Sequence, residues 1–239
     1  MRGQFDYLLN GLKRMDIDVA EDKLIRMLEY KNAVLSANER LNLTSITEDE
    51  AFIELHIIDS LTLLKCVDIS GSVIDIGTGA GIPGMILKIA RPEIKITLLD
   101  SLQKRLSFLS DIVANFSDGG VDIVNTRAEL GAHDANFREQ FDICISRAVA
   151  PLPVLCEYCL PYVKKGGKFI AMKGKNISDE LERSKDIYPL LGAEISEVVH
   201  IYLPYSESER NLIVFEKTSD TPEKYPRNNS AIKKDYKRM

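Results

Sequence analysis

The sequence predicts an α/β fold, a mostly parallel seven-stranded sheet with a C-terminal antiparallel hairpin, preceded by helices. Three observations predict it. From Val73 onward, short β-branched and apolar runs alternate with helical stretches, the pattern of a parallel sheet covered on both faces. The first run, Val73-Ile74-Asp75-Ile76, leads straight into a glycine loop, Gly77-Thr78-Gly79-Ala80-Gly81-Ile82-Pro83-Gly84. The last two, Glu194 to Leu203 and Asn211 to Glu216, are joined by a short polar turn around Ser206 to Glu209, and strands so closely linked pair antiparallel.

Residues from about Gln4 to Val67 read as helical. Leu24, Met27, Leu28, Val34 and Leu35 recur near the helical period, and a second helix from about Glu48 places Phe52, Leu55, Ile58, Thr62 and Leu63 on one side. Between them, Asn42-Leu43-Thr44 has the form of a glycosylation sequon but reads more simply as loop or helix-capping residues. Strands are then expected at Val73 to Ile76, Lys95 to Asp100, Val121 to Asn125, Phe141 to Ser146 and Lys168 to Met172, with a helix near Ser178 to Leu190 before the hairpin. The chain divides into an N-terminal helical segment (1–67), a glycine-loop domain (68–217) and a basic tail (218–239).

Glycines let the main chain approach a ligand where a Cβ would clash, and Asp100, closing the next strand, can accept hydrogens from two ribose hydroxyls. The pairing suits an adenosine-containing cofactor. Gly79-x-Gly81-x-x-Gly84 matches the dinucleotide fingerprint, and Gly77-x-Gly79-x-Gly81 matches the loop of S-adenosyl-L-methionine (SAM) enzymes. Register favours the second, because the first glycine should follow its strand directly, as Gly77 does. Pro83 suits the first turn of the following helix. The terminal hairpin moves the balance further, since dinucleotide folds complete a second parallel half. The fold expected is therefore the Rossmann-like class I SAM-dependent methyltransferase. Ligands of such sheets lie outside the carboxyl ends of the strands, which gathers Gly77, Asp100, the turn Thr126-Arg127-Ala128-Glu129 and Ser146-Arg147.

Composition narrows the class. The chain has 239 residues, 45% hydrophobic and 28% charged, ordinary for a globular protein with a substantial core. It has no long apolar run and no apolar signal core at its start, so a cytoplasmic protein without membrane contact is expected. Cys66, Cys144, Cys156 and Cys159 are irregularly spaced and read as reduced thiols. Cys156-x-x-Cys159 lacks a second pair, and no metal site is expected. The net charge of −5 is unevenly spread: Lys224, Arg227, Lys233, Lys234, Lys237 and Arg238 against Asp220, Glu223 and Asp235 leave the tail at +3 and the preceding chain at −8. Such a tail reads either as a phosphate contact or as a solvated, poorly ordered end.

Methyl transfer from a sulfonium is an in-line displacement, and a general base is required only for a protonated nucleophile. No Asn-Pro-Pro-Tyr-like sequence follows Ser146-Arg147 to hold an exocyclic amine, and Cys144 lies in an apolar strand where packing outweighs catalysis. A bare ring nitrogen remains the simplest acceptor, and no catalytic residue is assigned. Arg147 reads as a guanidinium aimed at ligand, guanine or phosphate, or as a structural ion pair, with its strand-end position favouring the first. Glu129 either faces adenine or starts a helix, and Lys173 either attracts phosphate or points to water.

The motifs together resemble a bacterial family, RsmG or glucose-inhibited division protein B (GidB), the guanine-N7 methyltransferases of small-subunit ribosomal RNA. The resemblance covers nearly the whole chain. It rests on Asn42-Leu43-Thr44, His56-Ile57-Ile58-Asp59-Ser60-Leu61, the glycine loop from Asp75 to Gly84, Leu99-Asp100-Ser101-x-x-Lys104-Arg105, Ile145-Ser146-Arg147-Ala148, Met172-Lys173-Gly174, Arg210-Asn211-Leu212 and Tyr225-Pro226-Arg227. It implies methylation of N7 of one guanosine in the decoding region of 16S rRNA, with SAM as cofactor and 16S rRNA or the small ribosomal subunit as partner. It further implies cofactor contacts at Gly77, Ile82, Ala128, Glu129 and Arg147, alongside Asp100 and the loop glycines Gly79 and Gly81. A monomer is expected. After Tyr225-Pro226-Arg227 the family continues with a basic segment containing glycine and proline, whereas this chain has Asn228-Asn229-Ser230-Ala231-Ile232-Lys233-Lys234. The rival expectations are a methyltransferase acting on a small molecule or protein, and a non-catalytic RNA-binding protein on the same fold.

Overall fold

A computed structural model describes residues 2–236, so Lys237 and Arg238 of the basic tail lie outside the described residues. Two helices open the chain, α1 (Arg2–Arg14) and α2 (Glu21–Leu41), the second ending at Asn42 in the left-handed conformation that asparagine tolerates well. The next helical stretch is mixed: α3 (Asp49–Phe52), a π-helical segment (Ile53–Ile58), α4 (Asp59–Leu61) and a 3₁₀ turn (Thr62–Lys65). The α/β part then runs β1 (Ser72–Ile76), α5 (Gly84–Ala90), β2 (Lys95–Asp100), α6 (Gln103–Phe116), β3 (Val121–Asn125), α7 (Ala128–Gly131), β4 (Phe141–Arg147), α8 (Leu152–Cys159), β5 (Val163–Lys173), α9 (Ser178–Ser184), β6 (Ala193–Tyr202) and β7 (Glu209–Lys217). A final helix, α10 (Asn229–Tyr236), lies within the tail.

The strands form one seven-stranded sheet in the order β3-β2-β1-β4-β5-β7-β6. The first five run parallel, and β7 inserts antiparallel between β5 and β6. Strand alternation sends residues to two cores. Ile96, Leu98, Ile143, Ile145, Ile170, Leu212 and Val214 face a layer in which Leu12, Met27, Tyr30, Val34 and Phe52 of the N-terminal helices pack with α5 and α6. Leu99, Cys144, Phe169, Ala171, Ile213 and Phe215 face the layer of α8, joined by Ile232 of the tail.

Two elements differ in extent from the sequence reading. β5 begins at Val163, five residues before Lys168, because Val163 already pairs with Phe141 of β4, and Lys164-Lys165-Gly166-Gly167 bulge out of register before pairing resumes at Ile143 and Lys168. The helix expected to reach Leu190 stops at Ser184, ahead of Pro189, which lacks the N–H that would continue the ladder and instead opens a 3₁₀ turn. All four cysteines are free; Cys144 and Cys156 are buried, and burial pushes both thiols up. Among the described residues no helix is long and apolar enough to cross a membrane, and no three His, Cys, Asp or Glu side chains cluster to hold a metal ion.

Candidate active site

The carboxyl ends of β1 to β4 surround a cavity of about 440 Å³, with Gly77, Asp100, Ala128, Glu129 and Val149 in its wall. The loop after β1 is built around Asp75. This buried carboxylate accepts from Thr78 Oγ1 (2.7 Å) and the Gly84 N–H (2.9 Å), while its Oδ1 has no hydrogen-bond partner among the described residues. Burial pushes Asp75 up to about 6 against the lowering effect of those two donors. The Gly77 and Thr78 N–H groups donate to Leu99 O at 2.8 and 3.1 Å, stapling the loop to β2.

The loop glycines serve different ends. Gly77 has φ of +75° and faces the cavity, and a Cβ there would fall on Val149. Gly81 packs away from the cavity, where a Cβ would meet Tyr30 Oη, Leu109 and Met85. A Cβ on Gly79 would meet open space. Ile82 is buried in the core behind the loop. The Gly79 N–H donates to Asp100 Oδ2 (3.0 Å) and the Leu102 N–H to Oδ1 (2.9 Å), which fixes the plane of the carboxylate at the end of β2. Glu129 stands in the first turn of α7 and lines the cavity as well, 3.9 Å from Arg127; the hydroxyl of Tyr162 donates to Ala128 O (2.7 Å) and holds that turn.

Arg147 does not line this cavity. It lines an adjoining one of about 410 Å³ together with His56, Asp59, Lys173, Glu180 and Arg210, and Ala148 belongs to both walls. Ala148 has φ of +57°, a conformation that costs a non-glycine residue about 1–2 kcal/mol and that clusters at functional sites. Arg147 donates to Leu55 O (2.9 Å), Asp59 Oδ2 (3.0 Å) and His56 Nδ1 (3.0 Å), and Arg210 Nε donates to Asp59 Oδ1 (3.0 Å). The ion pair and the position beside a ligand-sized cavity thus occur together. Lys173 donates to Ala150 O (2.9 Å) and pairs with Glu180 (2.6 Å), so its ammonium is held at the cavity wall. Burial, then the Arg147 charge, push the His56 imidazole down to about 3. With Nδ1 accepting from Arg147, its Nε2 carries the proton and donates to Thr44 Oγ1 (2.8 Å).

The structure therefore brings Gly77, Asp100, Ala128 and Glu129 together in one cavity, sets Gly79, Gly81 and Ile82 in the loop behind it, and puts Arg147 next door. Reasoning from residue types passed over Thr44, His56, Asp59 and Arg210 as a unit. The available signal was a His and an Asp three apart within the apolar run Ile53 to Leu61.

Residues 23–213 match the profile of the family described as GidB, rRNA small subunit methyltransferase G. Ribosomal RNA small subunit methyltransferase G of Acetivibrio thermocellus is 42% identical over 221 residues, covering 92% of this chain and 91% of that protein. The protein of the same name from Clostridium botulinum is 41% identical over 233 residues, covering 97% and 98%. Among solved structures, a 16S rRNA (adenine(1408)-N(1))-methyltransferase from Catenulisporales acidiphilia superposes with a TM-score of 0.54 at 15% identity, over 66% of this chain and 87% of that one. Precorrin-6y C5,15-methyltransferase from Geobacter metallireducens gives 0.51 at 19% identity, over 75% and 93%. At these identities the likeness shows the fold, that of class I SAM-dependent methyltransferases. With its profile spanning most of the sequence and relatives above 40% identity from end to end, the chain belongs to the rRNA small subunit methyltransferase G (GidB) family.

Proposed function

We propose that this chain transfers the methyl group of SAM to N7 of a guanosine in the decoding region of 16S rRNA, acting on the RNA or the small subunit as a cytoplasmic monomer. The observation that carries this reading is the contact of two cavities at Ala148, one walled by Gly77, Asp100 and Glu129 and the other by Arg147, Lys173 and Arg210 with Asp59 and Glu180. The first fits the donor. Its volume lies within the ~300–1,000 Å³ of small-molecule sites, its Gly77 wall admits a close approach, and Asp100 and Glu129 present buried carboxylates. Bound there, SAM supplies an electrophilic methyl on a sulfonium.

The chain's own groups position the reactants. Asp100, oriented by the Gly79 and Leu102 N–H groups, accepts from ribose hydroxyls; Ala128 and Glu129 flank the purine; Gly81 and Ile82 hold the loop in shape. Arg147, Lys173 and Arg210 make the second cavity suited to an RNA base and its phosphate. Guanine N7 carries a free lone pair, so no side chain need remove a proton. His56 is consistent with that, since both its nitrogens are engaged by Arg147 and Thr44. Rate enhancement then comes from holding N7 at near-attack distance, with electrostatic complementarity to the purine cation that forms.

Tritiated methyl transfer to small subunits and to naked 16S rRNA, followed by mapping of the labelled base, tests the proposal. Label at a guanine N7 in the decoding region is expected. Label elsewhere, or on a small molecule or protein instead, would replace the substrate; RNA binding without transfer would leave a non-catalytic binder.

A further inference from the structure

The tail is anchored to the body of the protein through Arg227 and its own main chain, while Lys233 and Lys234 stay exposed. The Arg227 guanidinium pairs with the buried Glu157 of α8 and with Asp235, and its main-chain N–H donates to Glu157 Oε2 (3.1 Å). Arg138 donates to the carbonyls of Thr221 (2.7 Å) and Tyr225 (2.9 Å), and Ile232 is buried in the α8 core. These contacts lay α10 along α8, where the hydroxyl of Tyr158 donates to Asn229 Oδ1 (2.8 Å). Two residues of α10, Asn229 and Lys233, thereby enter the wall of the larger cavity beside Glu129 and Tyr158.

Strand order fixes which end of the cavity they close. Asp100 ends β2, and the cation-lined cavity lies at the ends of β4 and β5, so a methyl group facing it directs the amino-acid arm of the donor toward β1 and β4. The purine then runs the other way, toward the end of β3, where Ala128 and Glu129 stand. Resting on the donor-site reading above, we propose that α10 belongs to the donor site and that Asn229 and Lys233 close its purine end. With its oxygen taken by Tyr158, Asn229 offers its amide nitrogen as a donor, and the ammonium of Lys233 is a donor only. Purine ring nitrogens are acceptors, and the exocyclic amine is a donor for which Glu129 is the complementary carboxylate. The segment Asn228 to Lys234, which the sequence leaves without an assigned role, thus serves nucleoside recognition.

Calorimetric titration of the full-length protein with S-adenosylhomocysteine and with adenosine tests this. Asn229→Ala and Lys233→Ala are each expected to weaken both ligands about 3- to 10-fold, the worth of one hydrogen bond; Lys233→Ala leaves the melting temperature unchanged, while Asn229→Ala also lowers it by losing the Tyr158 bond. Lys234→Ala, an exposed residue on the same helix outside the cavity wall, should bind as wild type. Equal losses for adenosine and S-adenosylhomocysteine mark the purine end; a loss confined to S-adenosylhomocysteine would overturn the assignment. If Asn229→Ala and Lys233→Ala bind as wild type while Asp100→Ala loses affinity, the donor site stands without α10. If Asp100→Ala loses nothing, or the wild type binds neither ligand, the donor-site reading itself falls.

Discussion

Removing Asp59 should be among the most damaging single changes in this protein. Its side chain is 5% exposed and takes a guanidinium on each oxygen, Arg147 on Oδ2 and Arg210 on Oδ1, both at 3.0 Å. Breaking a buried pair by deleting one partner costs about 3–5 kcal/mol, because the other charge stays behind unpaired. Here two charges stay behind, but Arg147 and Arg210 are 14% and 21% exposed and retain some access to water, which places Asp59→Ala at the lower end, about 3 kcal/mol. In a chain of this length each kcal/mol lowers Tm by about 2–4 °C, so a fall of roughly 6–12 °C is expected by calorimetry. Arg147→Ala should cost less stability, since Asp59 keeps Arg210, while reducing methyl transfer more severely. Combining the two should cost less than their sum, as expected of residues sharing one network. A loss below about 1 kcal/mol for Asp59→Ala would show that the guanidiniums are solvated and the network is an ordinary surface pair.

Asp100→Ala should weaken SAM by about 1–3 kcal/mol in calorimetric titration, and unchanged affinity would remove it as the ribose partner. Gly81→Ala should lower Tm more than Gly79→Ala, because its Cβ meets Tyr30, Leu109 and Met85 whereas that of Gly79 meets nothing; equal losses would contradict the packing described. His56, held near 3 when folded and near 6.5 when unfolded, contributes stability above pH 6.5 that drains as pH falls toward 3. Asp75, raised to about 6, has the opposite sign, its contribution present below 3.8 and lost as pH rises through 6. The difference in unfolding free energy between wild type and His56→Gln should therefore narrow from pH 7 to pH 4, and a constant difference would mean that His56 charges in the folded state.

The sheet was legible because each of its signals is local. Val73 to Ile76 is apolar on both faces apart from Asp75, the glycines follow at once, and the short turn before β7 leaves only an antiparallel partner. Asp100 was legible for the same reason, being the last residue of a strand next to the loop strand. What stayed hidden depends on distant pairs. Nothing near Arg147 announces that its partners are Leu55, His56 and Asp59, some ninety residues earlier. The π-helical turn from Ile53 to Ile58 shifts the face on which His56 lies, which a regular helical period does not anticipate. The tail's charge suits phosphate and water equally, and Glu157, the residue that receives Arg227, carries no local sign of doing so.

Tyr30 reaches from α2 into the wall behind the glycine loop, its hydroxyl donating to Ala80 O (2.6 Å) with Gly81 beneath it. One of the contacts that hold that loop therefore comes from a residue fifty positions upstream. Across evolution, positions 30 and 81 should change in concert: a bulkier residue at one demands a smaller one at the other, and grafting the sheet from one relative onto the leading helices of another succeeds only where this pair is carried over intact.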